Sequence, residues 1–207
     1  MRRRSFFKAA TLGPLLLKAQ TLFAQSFDLI IRGGRVIGPS LNLDTIADVG
    51  IANGRIESID RELNASSTDE INATNKIVVP GLLDIHAHYA QDDRGAHICL
   101  SDGVTGWVDA GSAGADNIEE MVAVARSAPQ PARILLNIGR GGVIPEGDTA
   151  DISMANVEVA KAAIASNLDY VVGVKARLTS GVTANDIVVI RRAQEVASYF
   201  NLPLMIH

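Results

Sequence analysis

The apolar positions fall into two regimes that meet at Pro80-Gly81. Before that point they come in short runs broken by turn residues. Phe27–Arg32, Gly33-Gly34, Arg35-Val36-Ile37 and later Ala47–Ile51 read as strands with turns between them. Asn53-Gly54, set between Asp48–Ala52 and Arg55–Ile59, predicts a two-residue hairpin, because both turn residues accept the positive φ that such a turn needs. Ile77-Val78-Val79 predicts another strand, and the polar stretch Asn64–Thr68 a surface loop. Residues 25–80 therefore read as a small β unit.

After Pro80-Gly81 strands alternate with helical spacing. Strands are predicted over the alternation from Leu82 through His88, at Val104–Asp109, at Arg133–Ile138, within Leu168–Leu178, and at Leu202–His207. Helices are predicted at Gly95–Leu100, Asn117–Ser127, alanine-rich Ser153–Ser166, and Ala184–Phe200 with Thr183 or Asn185 as its cap. Such alternation argues an α/β parallel sheet with right-handed crossovers.

Of the 207 residues 47% are hydrophobic and 20% charged, which supplies a core and excludes wholesale disorder. One cysteine, Cys99, excludes an internal disulfide and a multi-cysteine metal site. Residues 1–24 differ from the rest. Arg2-Arg3-Arg4-Ser5-Phe6-Phe7-Lys8, the modest apolar stretch Ala9–Leu17 and Leu22-Phe23-Ala24 read as a twin-arginine export signal with a cleavage site, and so predict a periplasmic protein with no stable membrane anchor once the leader is removed. A basic tail or membrane-surface helix is the other reading. Without residues 1–24 the formal charge moves from −4 to −9, with 14 Lys and Arg against 23 Asp and Glu, which excludes a nucleic-acid binder.

Candidate chemistry begins at Leu83-Asp84-Ile85-His86-Ala87-His88. Strand side chains alternate, so Asp84, His86 and His88 share a face, and two imidazoles on one face suit a metal ion. In Val171–Leu178 a lysine, Lys175, stands among Val, Gly and Ala. Burial would disfavour its ammonium and make the amine a nucleophile toward carbon dioxide; alternatively it is a strand-end lysine reaching solvent. His207 ends the last predicted strand, as a further ligand or as an incidental terminus.

Pro80-Gly81-Leu82-Leu83-Asp84-Ile85-His86-Ala87-His88 resembles the first-strand signature of the amidohydrolase superfamily of metal-dependent hydrolases. The resemblance implies that 81–207 is the first part of a (β/α)8 TIM-type barrel, about five strands of it, beside the N-terminal portion of a small β-sandwich-like domain. A full barrel takes about 250 residues, so the rest is expected beyond His207; an open doubly wound sheet is the alternative. It implies two divalent metal ions, with zinc the expected metal, held by His86, His88, Lys175 as a bridging carbamate, and His207. Asp84 is expected to support a ligating histidine, and Arg140 or Arg177 to hold a substrate carboxylate, although a surface salt bridge suits each arginine as well. A sixth-strand histidine and the eighth-strand aspartate that serves as general acid and base are expected downstream, leaving no catalytic acid or base in this segment. His97 and Trp107 read as structural.

With Gly95-Ala96-His97-Ile98-Cys99 and Asp109-Ala110-Gly111-Ser112-Ala113-Gly114, the chain is most similar to the dihydroorotase-like branch, in particular its acyl-amide and acyl-ester deacetylases. The expected function is hydrolysis of a C–N amide or related ester bond in a small carboxylate-bearing substrate, by an enzyme that could be a homo-oligomer. Cyclic-amide hydrolysis and non-catalytic metal or ligand binding are the alternatives.

Overall fold

The computed structural model describes residues 26–91 and 94–207, in two compact units that divide at Pro80/Gly81. The export signal expected over 1–24 lies outside the described residues.

The first unit is one mixed five-stranded sheet in the order β3-β2-β1-β4, with β5 also on β1. Its strands are β1 (Ser26–Gly38), β2 (Leu43–Ala52), β3 (Arg55–Asp60), β4 (Ser66–Asn72) and β5 (Ile77–Val78). Gly33-Gly34 does not end a strand as expected. It forms a bulge within β1, where the register to β2 shifts between Ile31 and Gly34. Asn53 and Gly54 have φ of 51° and 70°, the two-residue turn foreseen between β2 and β3. The loop expected at Asn64–Thr68 holds for Asn64 and Ala65 alone; from Ser66 the chain is β4, parallel to β1 from Ser26↔Ser66 to Arg32↔Asn72. Most of its side chains are exposed, so it carries no period-2 hydrophobic signal and is held by backbone pairing. Asp48 locks the bulge, accepting hydrogen bonds from the Gly33 and Leu63 N–H groups and from Arg32 Nη1.

The second unit is a half-barrel of five parallel strands in sequence order: β6 (Leu82–Ala87), β7 (Val104–Asp109), β8 (Ala132–Asn137), β9 (Val171–Ala176) and β10 (Leu204–Ile206). Helices α1 (Gly95–Ser101), α2 (Ile118–Ser127), α3 (Val157–Ser166) and α4 (Asp186–Tyr199) follow the first four strands in turn. The core is built from inner strands and helix faces: Trp107, Ile134, Leu136, Ile164, Val174 and Val189 are all almost fully buried. Ser153 lies in a separate 3₁₀ turn, and α3 begins only after Asn156, whose side chain accepts the Val159 N–H. At α4 the cap is Asn185, which accepts from Val188 N. The edge strands are less covered. Leu82, Leu83 and Ile85 on β6, and Ile206 on β10, are more than half exposed, since each edge strand pairs on one side alone among the described residues.

Candidate metal centre

The carboxyl ends of the parallel strands gather the chemistry, as they do in barrels of this type. His86 lies near the end of β6 and His88 just past it, with ring centroids 5.9 Å apart. His207 follows β10. Its N–H donates to Ala176 O and its carbonyl accepts from Leu178 N, which fastens it to the end of β9 and brings its ring to 5.3 Å from His86, edge to face. Lys175 pairs in register with Asn137 on one side and Met205 on the other. Its amine is 3.4 Å from His86 Nε2. The four side chains singled out from the sequence therefore meet, with His86 at the hub.

Lys175 is 1% exposed, and among the described residues no carboxylate forms a salt bridge with it. Burial, and then the Arg177 guanidinium, push its pKa below the ordinary lysine value, with Asp148 opposing. His86 is also pushed below its ordinary value, first by desolvation and then by Lys175, His207 and His88, with Asp84 opposing. Among the described residues no three His, Cys, Asp or Glu side chains already close on a point as a metal cage. The donor set nevertheless fits a divalent ion. Imidazoles sharing one ion at zinc–nitrogen distances of about 2.0–2.1 Å hold their centroids roughly 5–6 Å apart, and the buried amine sits where an anionic oxygen ligand would neutralise added charge.

Two polar networks support the centre. Asp109, fully buried at the end of β7, accepts from Ser112 N at 2.7 Å, Ser112 Oγ at 2.9 Å and Ala90 N at 3.2 Å. Ser112 Oγ in turn lies 2.7 Å from His88 Nδ1. Between them stands Gly111 at φ +85°, where a Cβ would come within 2.7 Å of Lys175 Cβ and Cγ. In the second network Asp148, 1% exposed, accepts from Arg177 Nε at 2.9 Å, Arg177 Nη2 at 2.6 Å and Asn137 Nδ2 at 2.8 Å.

Some expectations change. Among the described residues Asp84 hydrogen-bonds no imidazole: it accepts the backbone N–H of His86 and, at 3.4 Å, the Tyr89 hydroxyl. Arg140 forms an exposed salt bridge with Asp116, the surface pairing that was the other reading of this arginine. Arg177 is bound by a buried carboxylate two residues along the chain from Lys175, with its other terminal nitrogen outside that pairing. His97 is exposed on α1, and Trp107 is buried edge to face with Tyr89. The Cys99 thiol is buried and raised above its usual range by desolvation, so it is not a primed nucleophile. The reading from sequence passed over Asp109, Ser112, Asn137 and Asp148 as functional groups. Their signal was available for two of them: Asp109 and Asn137 are polar residues closing otherwise apolar strands.

A half-barrel of βα units thus gathers three histidines and a buried lysine at its carboxyl rim, a donor set of the kind that holds divalent ions. No protein-family model matches the chain. It is 28% identical over 189 residues to a deacetylase of Enterococcus faecalis, covering 87% of this chain and 50% of that protein. It is also 28% identical over 187 residues to a dihydroorotase of Solibacter usitatus, covering 86% and 41%. Among solved structures, an adenine deaminase superposes with a TM-score of 0.74 at 27% identity, over 87% of this chain and 50% of that one. A D-aminoacylase described as having a binuclear metal center superposes with a TM-score of 0.57 at 19% identity, over 87% and 51%, a likeness of fold. The chain is thus similar to proteins of the amidohydrolase superfamily, and it spans about half the length of the curated relatives it matches.

Proposed function

We propose that the whole protein is a metal-dependent hydrolase that cleaves a C–N amide or related ester bond in a small carboxylate-bearing substrate. The observation that carries this reading is Lys175: a buried amine with no salt-bridged carboxylate among the described residues, beside His86 and within a cluster of three imidazoles. The similarity to a deacetylase over 87% of the chain supports the reaction class. His86, His88 and His207 would hold divalent ions, with zinc suited to imidazole and oxygen ligands together. When bound, such ions supply a water of lowered pKa and polarise a carbonyl.

The chain's own groups have distinct tasks. In its neutral form the Lys175 amine attacks carbon dioxide: the N–C bond forms as one C=O π bond opens onto oxygen, one amine proton leaves to solvent, and the resulting carbamate presents two oxygens that share one negative charge where a cation was disfavoured. Arg177, held from behind by Asp148, presents its remaining N–H groups to a substrate carboxylate.

Metal analysis with a screen of N-acyl amino acids tests the proposal: no bound metal and no hydrolysis would defeat it. Metal without turnover would favour a binding protein on the same fold. Dihydroorotate belongs in the same screen, because the similarity to a dihydroorotase favours a cyclic amide as the second reading. Combining Arg177→Met with Asp148→Asn, so that no carboxylate is left buried alone, should raise KM for carboxylate substrates about 10–100-fold against their neutral amides; equal effects on both would remove Arg177 from recognition. We also propose that the twin-arginine stretch exports the protein to the periplasm. Fractionation of cells carrying Arg3→Lys and Arg4→Lys should find it retained inside, and unchanged export would exclude that route.

A further inference from the structure

His88 is tied to the end of the neighbouring strand through a serine, and the directions of those hydrogen bonds can be worked out. Both oxygens of Asp109 already accept backbone N–H groups, Oδ1 from Ser112 and Oδ2 from Ala90. Asp109 is therefore placed as an acceptor throughout. The Ser112 hydroxyl has one proton to give. With Asp109 Oδ2 at 2.9 Å, that proton goes to the carboxylate. What Ser112 Oγ then offers His88 Nδ1, at 2.7 Å, is a lone pair, so Nδ1 has to be the donor. A neutral imidazole carries one N–H. Placing it on Nδ1 leaves Nε2 bare, as a metal ligand must be.

From this geometry we infer that Ser112, oriented by Asp109, is a positioning residue that fixes His88 as the Nδ1–H tautomer and keeps Nε2 available to a metal ion. The inference rests on the metal reading for its purpose, but not for its geometry. The backbone enforces the arrangement. Ala110 N donates to Ala87 O at 2.7 Å, tying the turn to the residue before His88. Gly111, at φ +85°, folds the chain back so that Ser112 reaches Asp109, and it packs against the stem of Lys175. One four-residue turn, Asp109-Ala110-Gly111-Ser112, thus serves two members of the cluster: Ser112 orients His88, and Gly111 makes room for Lys175.

The test uses the full chain labelled with 15N-histidine, metal-free, at about pH 8. Long-range proton–nitrogen correlation should show His88 protonated on Nδ1. In Ser112→Ala it should lose that single tautomer, and zinc affinity measured by chelator competition should fall about 10–100-fold, the usual effect of removing a group that orients a ligating histidine. Ser112→Thr, which keeps the hydroxyl, should restore both. A wild-type His88 protonated on Nε2 overturns the inference, and so does a Ser112→Ala chain with unchanged tautomer and zinc affinity. Failure of the wild type to bind zinc would defeat the metal reading instead, while the tautomer would still decide the role of Ser112.

Discussion

Replacing Lys175 by methionine should make the metal-free protein more stable while removing a ligand of the proposed metal site. The lysine is 1% exposed, no carboxylate among the described residues forms a salt bridge with it, and its nearest polar contact is an imidazole nitrogen at 3.4 Å. Methionine keeps much of the volume and removes the group whose charged form is disfavoured. Exchanging buried ionic groups for apolar side chains of similar size is neutral or stabilising by roughly 1–4 kcal/mol, and the upper part of that range applies when no counter-charge is lost. For a protein of this size each kcal/mol moves Tm by about 2–4 °C.

The pH dependence separates this cause from ordinary packing. The folded pKa of Lys175 lies below its reference value of 10.5, so between the two values the unfolded state binds more protons. Stability of the wild type therefore rises with pH through that window, and the penalty is gone above 10.5. One proton limits the slope to about 1.4 kcal/mol per pH unit. The advantage of Lys175→Met over wild type should be largest near neutrality and shrink as pH approaches 10.5, as read from urea midpoints across the range. A variant that is less stable than wild type near neutrality, or whose advantage does not change with pH, would refute the view that Lys175 is a buried amine whose charged form is disfavoured and which is held for function.

Two further substitutions probe the turn and the bulge. Gly111→Ala puts a side chain at φ +85° and 2.7 Å from the stem of Lys175, and should cost about 2–4 kcal/mol; Gly103→Ala, at φ +89° with open space around it, should cost only the backbone part, so equal losses in urea unfolding would disprove the contact. At Asp48, burial raises the carboxyl pKa, but the Leu63 N–H, Arg32 and the Gly33 N–H together hold it below the reference value of 3.8. Its contribution is thus present above pH 3.8 and is lost as pH falls through the lower folded value. Asp48→Ala should cost about 2–4 kcal/mol near neutrality, by leaving two N–H groups unpaired and taking from Arg32 one of its two carboxylate partners, and should flatten the acid limb of the stability curve; a limb as steep as wild type would show that other carboxylates carry it.

Local chemistry in the sequence was enough for much of this protein. Asn53-Gly54 forces its hairpin because the turn needs two positive φ angles, and alternating apolar runs and helical spacing after Pro80 define a parallel βα array whatever lies around it. His86 and His88 were legible because two imidazoles at alternate positions are an unusual use of a strand, and Lys175 because an amine in a Val, Gly and Ala strand has to be explained. The tertiary structure alone decided what those groups touch. β4 was invisible because its side chains are exposed and only backbone pairing to β1 makes it a strand. Asp84 has the right spacing to support an imidazole, yet its oxygens are taken by a backbone N–H and a tyrosine. Support for His88 comes instead from Asp109 and Ser112, more than twenty residues away and across a strand boundary. A sequence records which residues have a metal-binding or proton-holding character, because that belongs to the residue; which of them are satisfied by one another depends on register between neighbouring strands and on a single glycine turn, and those exist only once the sheet has closed up around Lys175.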